Sequence, residues 1–138
     1  CRMGDPETQP ILMRLKSDLA DVMLAATSGK LDEVELQWDR RVALGVVLAA
    51  GGYPLEPRKG DAITGLPQAQ DDVVVFHAGT VGEGDRLLTS GGRVLCVTAL
   101  ADSVRQAQTR AYDVARGIHF DGVQYRRDIG HRAVRANG

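Results

Sequence analysis

The stretch RVALGVVLAAGG (residues 41–52) decides the fold class of this chain. Its first ten residues are almost continuously apolar and rich in valine, and they are too few for an exposed amphipathic helix. Such a run is typical of a buried strand, which Gly51 and Gly52 would end. A second run of the same kind, GRVLCVTAL (residues 92–100), lies further along the chain. The sequence therefore predicts a sheet that contains both strands.

Three shorter runs also have the composition of strands, and glycine-containing turns separate them. They are DAITGL (residues 61–66), DVVVFHA (residues 72–78) and DRLLTS (residues 85–90). Strands that follow one another through short turns pair in the antiparallel sense, because a parallel pair needs a crossover of about a dozen residues or more. We therefore expect a largely antiparallel sheet or half-barrel. The tail, residues 120–134, is compatible with one further strand.

Two main helices flank the predicted strands. Apolar side chains recur at helical spacing from Gln9 to Ser28, after Thr8 as a plausible N-cap. The same spacing returns from Ser103 to Ile118, with Asp102 as the expected cap. Helices at either end of a run of antiparallel strands are typical of an α+β domain.

Charge and composition exclude some classes of partner. The chain has 17 basic and 18 acidic side chains and a formal net charge of −1, so no overall charge attracts a nucleic acid or a membrane surface. No apolar run reaches the roughly 18 residues of a membrane span. Cys1 is terminal and Cys96 lies in an apolar run, so neither a disulfide nor thiol chemistry is predicted. We expect a cytoplasmic protein with no nucleic-acid or membrane partner, acting as a monomer.

Two acidic residues near the start are the first candidates for chemistry. Asp5 and Glu7 could bind a metal ion or transfer a proton. Both also precede a predicted helix, where the helix dipole favours acidic side chains without any catalytic role. His77, His119 and His131 lack the spacing and the flanking acids of a zinc site.

Two glycine corners are the better candidates for a binding site, GGYP (residues 51–54) and SGGR (residues 90–93). Adjacent glycines let backbone N–H groups approach an anion, and the guanidinium of Arg93 could complete a phosphate site. The alternative is that each glycine pair simply turns a hairpin.

Six stretches occur in one order along the chain: RMGDPETQP, GVVLAAGGYP, RKGDAITGL, FHAGT, GGRVLCVTALA and FDGVQYRRDIGHRA. Together they resemble the C-terminal part of the phosphoribosylamine–glycine ligases (glycinamide ribonucleotide synthetases), purine-biosynthesis enzymes of the ATP-grasp superfamily. The resemblance runs from Arg2 to Ala133. It implies that residues 1–28 are the tail of the ATP-grasp catalytic domain and that residues 29–138 are a C-terminal ligase domain.

The first stretch matches half of a longer motif of that family, E-x-N-x-R-x-G-D-P-E. Arg2, Gly4, Asp5, Pro6 and Glu7 supply the second half. In the family the Glu and Asn of the first half bind the magnesium that bridges the ATP phosphates, and they would fall just before Cys1. The resemblance therefore implies a C-terminal fragment that has no metal ligand of its own and is inactive alone.

The implied reaction uses three substrates. ATP phosphorylates the carboxylate of glycine, and the amine of phosphoribosylamine then displaces the phosphate to give glycinamide ribonucleotide and ADP. By resemblance, Arg2 is catalytic and stabilises the transferred phosphoryl group, while the substrate-binding residues are Asp5, Glu7, Gly91, Gly92, Arg93 and, as a weaker candidate, Lys59. The complete enzyme would use ATP as a substrate with Mg²⁺ or Mn²⁺, and we expect neither to be bound by this fragment.

The alternative function is a non-catalytic docking module that reuses an enzyme's domain, because fold does not fix function. Packing alone would not require the motif from Arg2 to Glu7. Its presence therefore favours the enzyme.

Overall fold

A computed structural model of the chain describes residues 2–136, so Cys1 lies outside the described residues. The fold is α+β, as predicted, and its sheets are antiparallel and not closed. Its elements in chain order are α1 (Thr8–Arg14), α2 (Leu19–Thr27), a 3-10 turn (Leu31–Glu33), β1 (Val42–Ala49), β2 (Val73–His77), β3 (Thr80–Glu83), β4 (Arg86–Thr89), β5 (Arg93–Ala101), α3 (Val104–Gly117) and α4 (His131–Ala136).

The main sheet has three strands in the order β1-β5-β2, and both pairings are antiparallel. The last strand in the chain therefore lies between the first two. The β1–β5 ladder runs from Val42 opposite Ala101 to Leu48 opposite Leu95, and its register shifts after Leu48. The expected antiparallel sheet is confirmed. However, we inferred antiparallel pairing from short turns between neighbouring strands, and no such turn joins the paired strands of this sheet. β5 pairs with β1 and β2, and both of these come much earlier in the chain.

Helices cover both faces of the main sheet. On one face, the alternate β1 residues Leu44, Val46 and Leu48 pack in the same buried cluster as the alanines of α3. Those alanines, Ala107, Ala111 and Ala115, are fully buried, and their small side chains let the helix approach the sheet closely. On the other face, a Cβ added to Gly45 would lie 3.2 Å from Pro10 of α1. The sheet is therefore the middle layer of three.

The helix predicted from Gln9 to Ser28 is wrong as a single element, because the chain forms α1 and α2 with a break between them. At the break Leu15 is extended and makes an isolated bridge with Trp38. Asp18 then caps α2, since its carboxylate accepts the N–H of Ala20 at 2.8 Å. Apolar spacing continues across this break and so conceals it.

The predicted helix caps also need correction. Glu7, not Thr8, occupies the N-cap position of α1. Ser103, not Asp102, caps α3, because its hydroxyl oxygen accepts the N–H of Gln106.

Strands were predicted correctly at four places, which became β1, β2, β4 and β5. The predicted strand at residues 61–66 forms only two isolated bridges, Ala62 with Leu88 and Thr64 with His119. The tail forms one such bridge, Ala49 with Gln124, and then the short helix α4. β3, which pairs with β4 as a separate hairpin, was missed.

An ion-pair network joins the starts of β1 and β2 to α3. Asp39 accepts hydrogen bonds from Nε and Nη2 of Arg41, which hold the pKa of that carboxyl at about 2. Arg41 also pairs with Asp72, and Arg110 of α3 donates to Asp72 at 3.1 Å. No helix among the described residues has the length and apolar character needed to cross a membrane.

We expect Gly65→Ala to destabilise the fold strongly. Gly65 has φ +74°, and a Cβ there would lie 1.9 Å from the carbonyl oxygen of Gly117. A left-handed alanine alone costs about 1–2 kcal/mol, so with the clash the loss should exceed about 2 kcal/mol. The control is Gly60→Ala, which has φ +86° but no described heavy atom within 4 Å of the new Cβ. Urea unfolding measures both, and an equal loss in the two variants would contradict the packing argument.

Candidate functional site

The SGGR corner joins the two sheets, because Gly91 and Gly92 lie between β4 of the hairpin and β5 of the main sheet. β4 and β5 do not pair with each other, so the alternative that this corner turns a hairpin is wrong. The backbone of this corner passes very close to the backbone of Gly79. A Cβ on Gly79 would lie 2.7 Å from the carbonyl oxygen of Arg93 and 2.7 Å from Cα of Gly91.

The backbone hydrogen-bonding groups of this corner are only partly used by the fold. The carbonyl of Gly92 accepts the N–H of Ala50 at 2.8 Å. In contrast, the N–H groups of Gly91 and Gly92 donate to no other group within residues 2–136. Both glycines are half-buried. Half-buried amides without a protein partner are suited to hydrogen bonding with an anion.

Arg93 stands at the start of β5, beside these amides, and its guanidinium is only partly engaged. Nε donates to Oδ2 of Asp5 at 2.8 Å, across 88 residues of sequence. Nη1 makes a longer contact, 3.4 Å, with the hydroxyl of Tyr53. The pKa of Arg93 is raised, first by the hydrogen bond that it donates to Asp5 and then by the charge of that carboxylate. Nη2 has no hydrogen-bond partner in the part of the chain that the structure describes.

The GGYP corner covers the SGGR corner through Tyr53. A Cβ on Gly92 would lie only 2.5 Å from Cδ2 of that ring, so the ring packs directly on the glycine. Nε2 of Gln124 donates to the carbonyls of Ala50 and Tyr53, at 2.9 and 3.0 Å, and so fixes the backbone of the corner.

A cavity of about 390 Å³ opens between these two corners and the tail. Its lining residues are Val47, Ala49, Tyr53, Arg93, Gln124, Tyr125 and Arg126. Arg126 is engaged by Asp128 through both Nε and Nη2, at 2.9 and 2.7 Å, and this pairing lowers the pKa of the carboxyl. The cavity thus combines apolar and aromatic walls with two guanidinium groups, the usual composition of a small-molecule site.

Of the seven lining residues, sequence reasoning named only Arg93 as a site residue, and it did not single out the polar or aromatic side chains of Tyr53, Gln124, Tyr125 and Arg126. A signal was present, because GGYP and FDGVQYRRD are two of the six stretches that carry the family resemblance. Nothing local indicated that the two stretches would meet.

The remaining predicted residues are not all brought to this cavity. Lys59 is exposed and forms no ion pair within residues 2–136, whereas the adjacent Arg58 pairs with Asp61 and Asp121. Arg2 is also exposed, with no hydrogen bond to the described residues. Glu7 folds back over Gly4, where a Cβ would lie 2.3 Å from its Oε1.

Asp5 and Glu7 do not form the acidic pair of a metal site. Asp5 is paired with Arg93, while Glu7 lies against its own turn. Residues 2–136 contain no group of three or more His, Cys, Asp or Glu side chains that could hold a metal ion. Cys96 is buried, and desolvation raises the pKa of its thiol, so it is protonated and inert at neutral pH.

A second and larger cavity, about 730 Å³, lies between α1 and the start of β1, and Trp38 lines it. Two of its three arginines, Arg14 and Arg41, are engaged by the fold, whereas the exposed Arg40 forms no hydrogen bond or ion pair with the described residues. Nε and Nη2 of Arg14 donate to the carbonyl of Asp39, and Arg41 is held by Asp39 and Asp72. The Arg93 cavity is the better candidate because it lies beside the SGGR corner, where two backbone N–H groups also lack an acceptor among the described residues.

Comparison with known proteins gives one consistent family. The family model described as "Phosphoribosylglycinamide synthetase, C domain" matches residues 43–132. A phosphoribosylamine–glycine ligase of Ralstonia nicotianae is 63% identical over 135 residues, covering 98% of this chain and 32% of that protein. One from Escherichia coli O157:H7 is 57% identical over 136 residues, with 97% and 32% covered.

A solved structure agrees with these relatives. The crystal structure of a phosphoribosylamine–glycine ligase from Thermotoga maritima matches with a TM-score of 0.72 and 36% identity, over 93% of this chain and 31% of that one. The chain therefore spans about a third of the length of the relatives that it matches.

We expect Gly92→Ala to displace the Tyr53 ring. The new Cβ would lie 2.5 Å from the ring, which is partly exposed and can move towards solvent. The NMR resonances of the Tyr53 ring protons should shift, while stability falls by about 1 kcal/mol or less, as for a strained but relieved contact. Gly82→Ala is the control, because its Cβ meets no described heavy atom within 4 Å. Unchanged Tyr53 resonances in Gly92→Ala would contradict the packing of the corner.

Proposed function

The chain belongs to the phosphoribosylglycinamide synthetase C-domain family, and from this premise we propose that it is the C-terminal part of an ATP-dependent ligase that joins glycine to 5-phosphoribosylamine. The products would be glycinamide ribonucleotide, ADP and phosphate. The proposal is supported by relatives that carry the name phosphoribosylamine–glycine ligase over nearly the whole of this chain. No observation favours the non-catalytic docking module.

In this proposal the complete enzyme holds ATP and Mg²⁺ or Mn²⁺ with residues that precede the chain. Asp5 and Glu7 do not fit a metal site, and the described residues form no cluster that does. Residues 1–28 would be the tail of the ATP-grasp domain and residues 29–138 the C-terminal domain. α1 nevertheless packs on the sheet, so these two parts share one packing interface. The enzyme would act in the cytoplasm as a monomer, without a nucleic-acid or membrane partner.

One observation carries the assignment of a substrate to the Arg93 cavity. A guanidinium with an unbonded Nη2 lines the cavity, and the two residues that precede it in the chain carry half-buried N–H groups that have no acceptor among the described residues. A phosphate monoester carries about two negative charges at neutral pH and several acceptor oxygens, so it complements these donors. We assign the 5-phosphate of phosphoribosylamine to Arg93, Gly91 and Gly92. Lys59 remains a weaker candidate, because it is exposed and does not line the cavity.

This anchor would serve the reaction by orientation. Phosphorylation gives glycine a good leaving group, and the amine of phosphoribosylamine must then approach the acyl carbon along one direction. A phosphate held at its far end restricts the rotation of the substrate and so raises the fraction of productive approaches. Tyr53 and Gln124 would form the wall of the cavity beside the sugar.

We expect Arg93→Ala in the full-length enzyme to raise the Michaelis constant for phosphoribosylamine about tenfold to a hundredfold. Loss of hydrogen bonds to a charged group costs about 1.5–3 kcal/mol, and each 1.4 kcal/mol corresponds to about a factor of ten. The Michaelis constants for ATP and glycine should change little. Arg93→Lys should recover only part of the loss, since an ammonium cannot form the bidentate contact.

The control for Arg93 is Arg86→Ala, an exposed arginine of the hairpin that pairs with Glu83. It should leave all three Michaelis constants unchanged. If Arg93→Ala weakened all three substrates together, or lowered only thermal stability, Arg93 would be a structural residue.

We also expect Arg2→Ala to lower kcat more than it raises the Michaelis constant for ATP. Arg2 is exposed and unpaired among residues 2–136, which leaves its charge free to act on a phosphoryl group supplied from the rest of the enzyme. A charge that matters mainly in the transition state appears in turnover and not in ground-state binding. Steady-state kinetics measures both constants. An unchanged kcat would remove Arg2 from the catalytic residues.

A further inference from the structure

We propose that Asp5 is a positioning residue for Arg93, and that it holds the guanidinium in the orientation in which an anion can be bound. The inference rests on the proposed function, because it takes Arg93 as the phosphate anchor. It assigns Asp5 a role in phosphoribosylamine binding that differs from a metal or ATP contact.

The contact between Asp5 and Arg93 uses Nε of the guanidinium and leaves Nη2 without a partner among the described residues. Asp5 accepts from Nε at 2.8 Å, and the pair is monodentate, because no Nη atom of Arg93 bonds to Asp5. An arginine presents five N–H donors in a rigid planar fork. A hydrogen bond at Nε therefore restricts the orientations of the plane in which the Nη1 and Nη2 donors lie. Tyr53 then limits rotation from the other side, through its 3.4 Å contact with Nη1.

Without Asp5 the side chain would have little to hold it. Arg93 is the first residue of β5, and its side chain is 44% exposed. A long, exposed side chain loses rotamer freedom when it orders on a ligand, and this loss weakens binding. Asp5 imposes that order in the free protein. The gain is preorganisation, which raises the affinity for the anion without any contact between Asp5 and the ligand.

The charge of Asp5 acts in the opposite direction. Its carboxylate partly neutralises Arg93 and repels a phosphate bound to that guanidinium. The pair is solvent-exposed on both sides, so water and salt screen this repulsion. Asparagine at this position removes the charge but keeps a carbonyl oxygen that can accept from Nε. Asp5→Asn and Asp5→Ala therefore separate the hydrogen bond from the charge.

The experiment measures binding of ribose 5-phosphate to the full-length enzyme by calorimetry, together with the kinetic constants of the same variants. We expect Asp5→Ala to weaken ribose 5-phosphate about twofold to tenfold, the range for one freed long side chain. The Michaelis constant for phosphoribosylamine should rise by the same factor with little change in kcat. Asp5→Asn should bind within about twofold of the wild type. Asp85→Ala, in the exposed hairpin turn, is the matched control and should change nothing.

A double variant decides whether Asp5 acts through Arg93. In the Arg93→Ala background, Asp5→Ala should have no further effect on ribose 5-phosphate, because there is no guanidinium left to position. A further loss in that background, equal losses in the Asn and Ala variants, or wild-type or tighter binding in Asp5→Ala would each overturn the inference. If Arg93→Ala itself leaves ribose 5-phosphate binding unchanged, the assignment of the phosphate to Arg93 is wrong, and the positioning role of Asp5 is lost with it. If only Asp5→Ala is without effect, the assignment stands and the positioning role alone is lost.

Discussion

The pairing of β5 between β1 and β2 is the constraint on which the rest of the structure depends. Eight of the nine β5 residues are buried, and the strand hydrogen-bonds to a neighbour on each edge. A strand in that position must be apolar on both faces, because helices cover both. Its two ends are then fixed in space. Arg93 lies at one end, in the SGGR corner, and Ala101 leads directly into α3 at the other.

Close backbone contacts between loops at one end of the sheet form the surroundings of the Arg93 cavity. Gly79 passes Gly91 at a distance that leaves no room for a side chain, and the Tyr53 ring packs on Gly92. On the far side, Gly51 meets Gly122, where an added Cβ would contact the opposing Cα at 3.3 Å. The glycines thus let four separate loops approach one another, because they carry no side chains that would fill the space between them. The same residues that look like turn formers in the sequence act here by their small size.

Arginine–carboxylate pairs lie at both ends of the main sheet, but they differ in how many N–H donors of the arginine remain unbonded. At one end Arg41 uses Nε, Nη1 and Nη2 on Asp39 and Asp72, so its hydrogen-bonding capacity is spent within the fold. At the other end Arg93 bonds to Asp5 through Nε alone. The first arrangement is typical of a structural network. The second keeps a charged donor group oriented and accessible, which is what binding of an anion requires.

The sequence by itself determined the local elements and the family. Valine-rich runs identified β1 and β5, the alanine-rich apolar face identified α3, and six ordered stretches identified the relatives. Its errors were also local: the spacing that predicts one helix from Gln9 to Ser28 continues across a break at Leu15. Only the tertiary structure decided that β5 lies between β1 and β2, that Asp5 meets Arg93 and that Gln124 supports Tyr53. Periodicity reports which residues are buried and which backbone they prefer, but it carries no information about the partner across 88 residues of chain. Which residues become such partners depends on the order of strands in the sheet, and the packing of the whole domain sets that order.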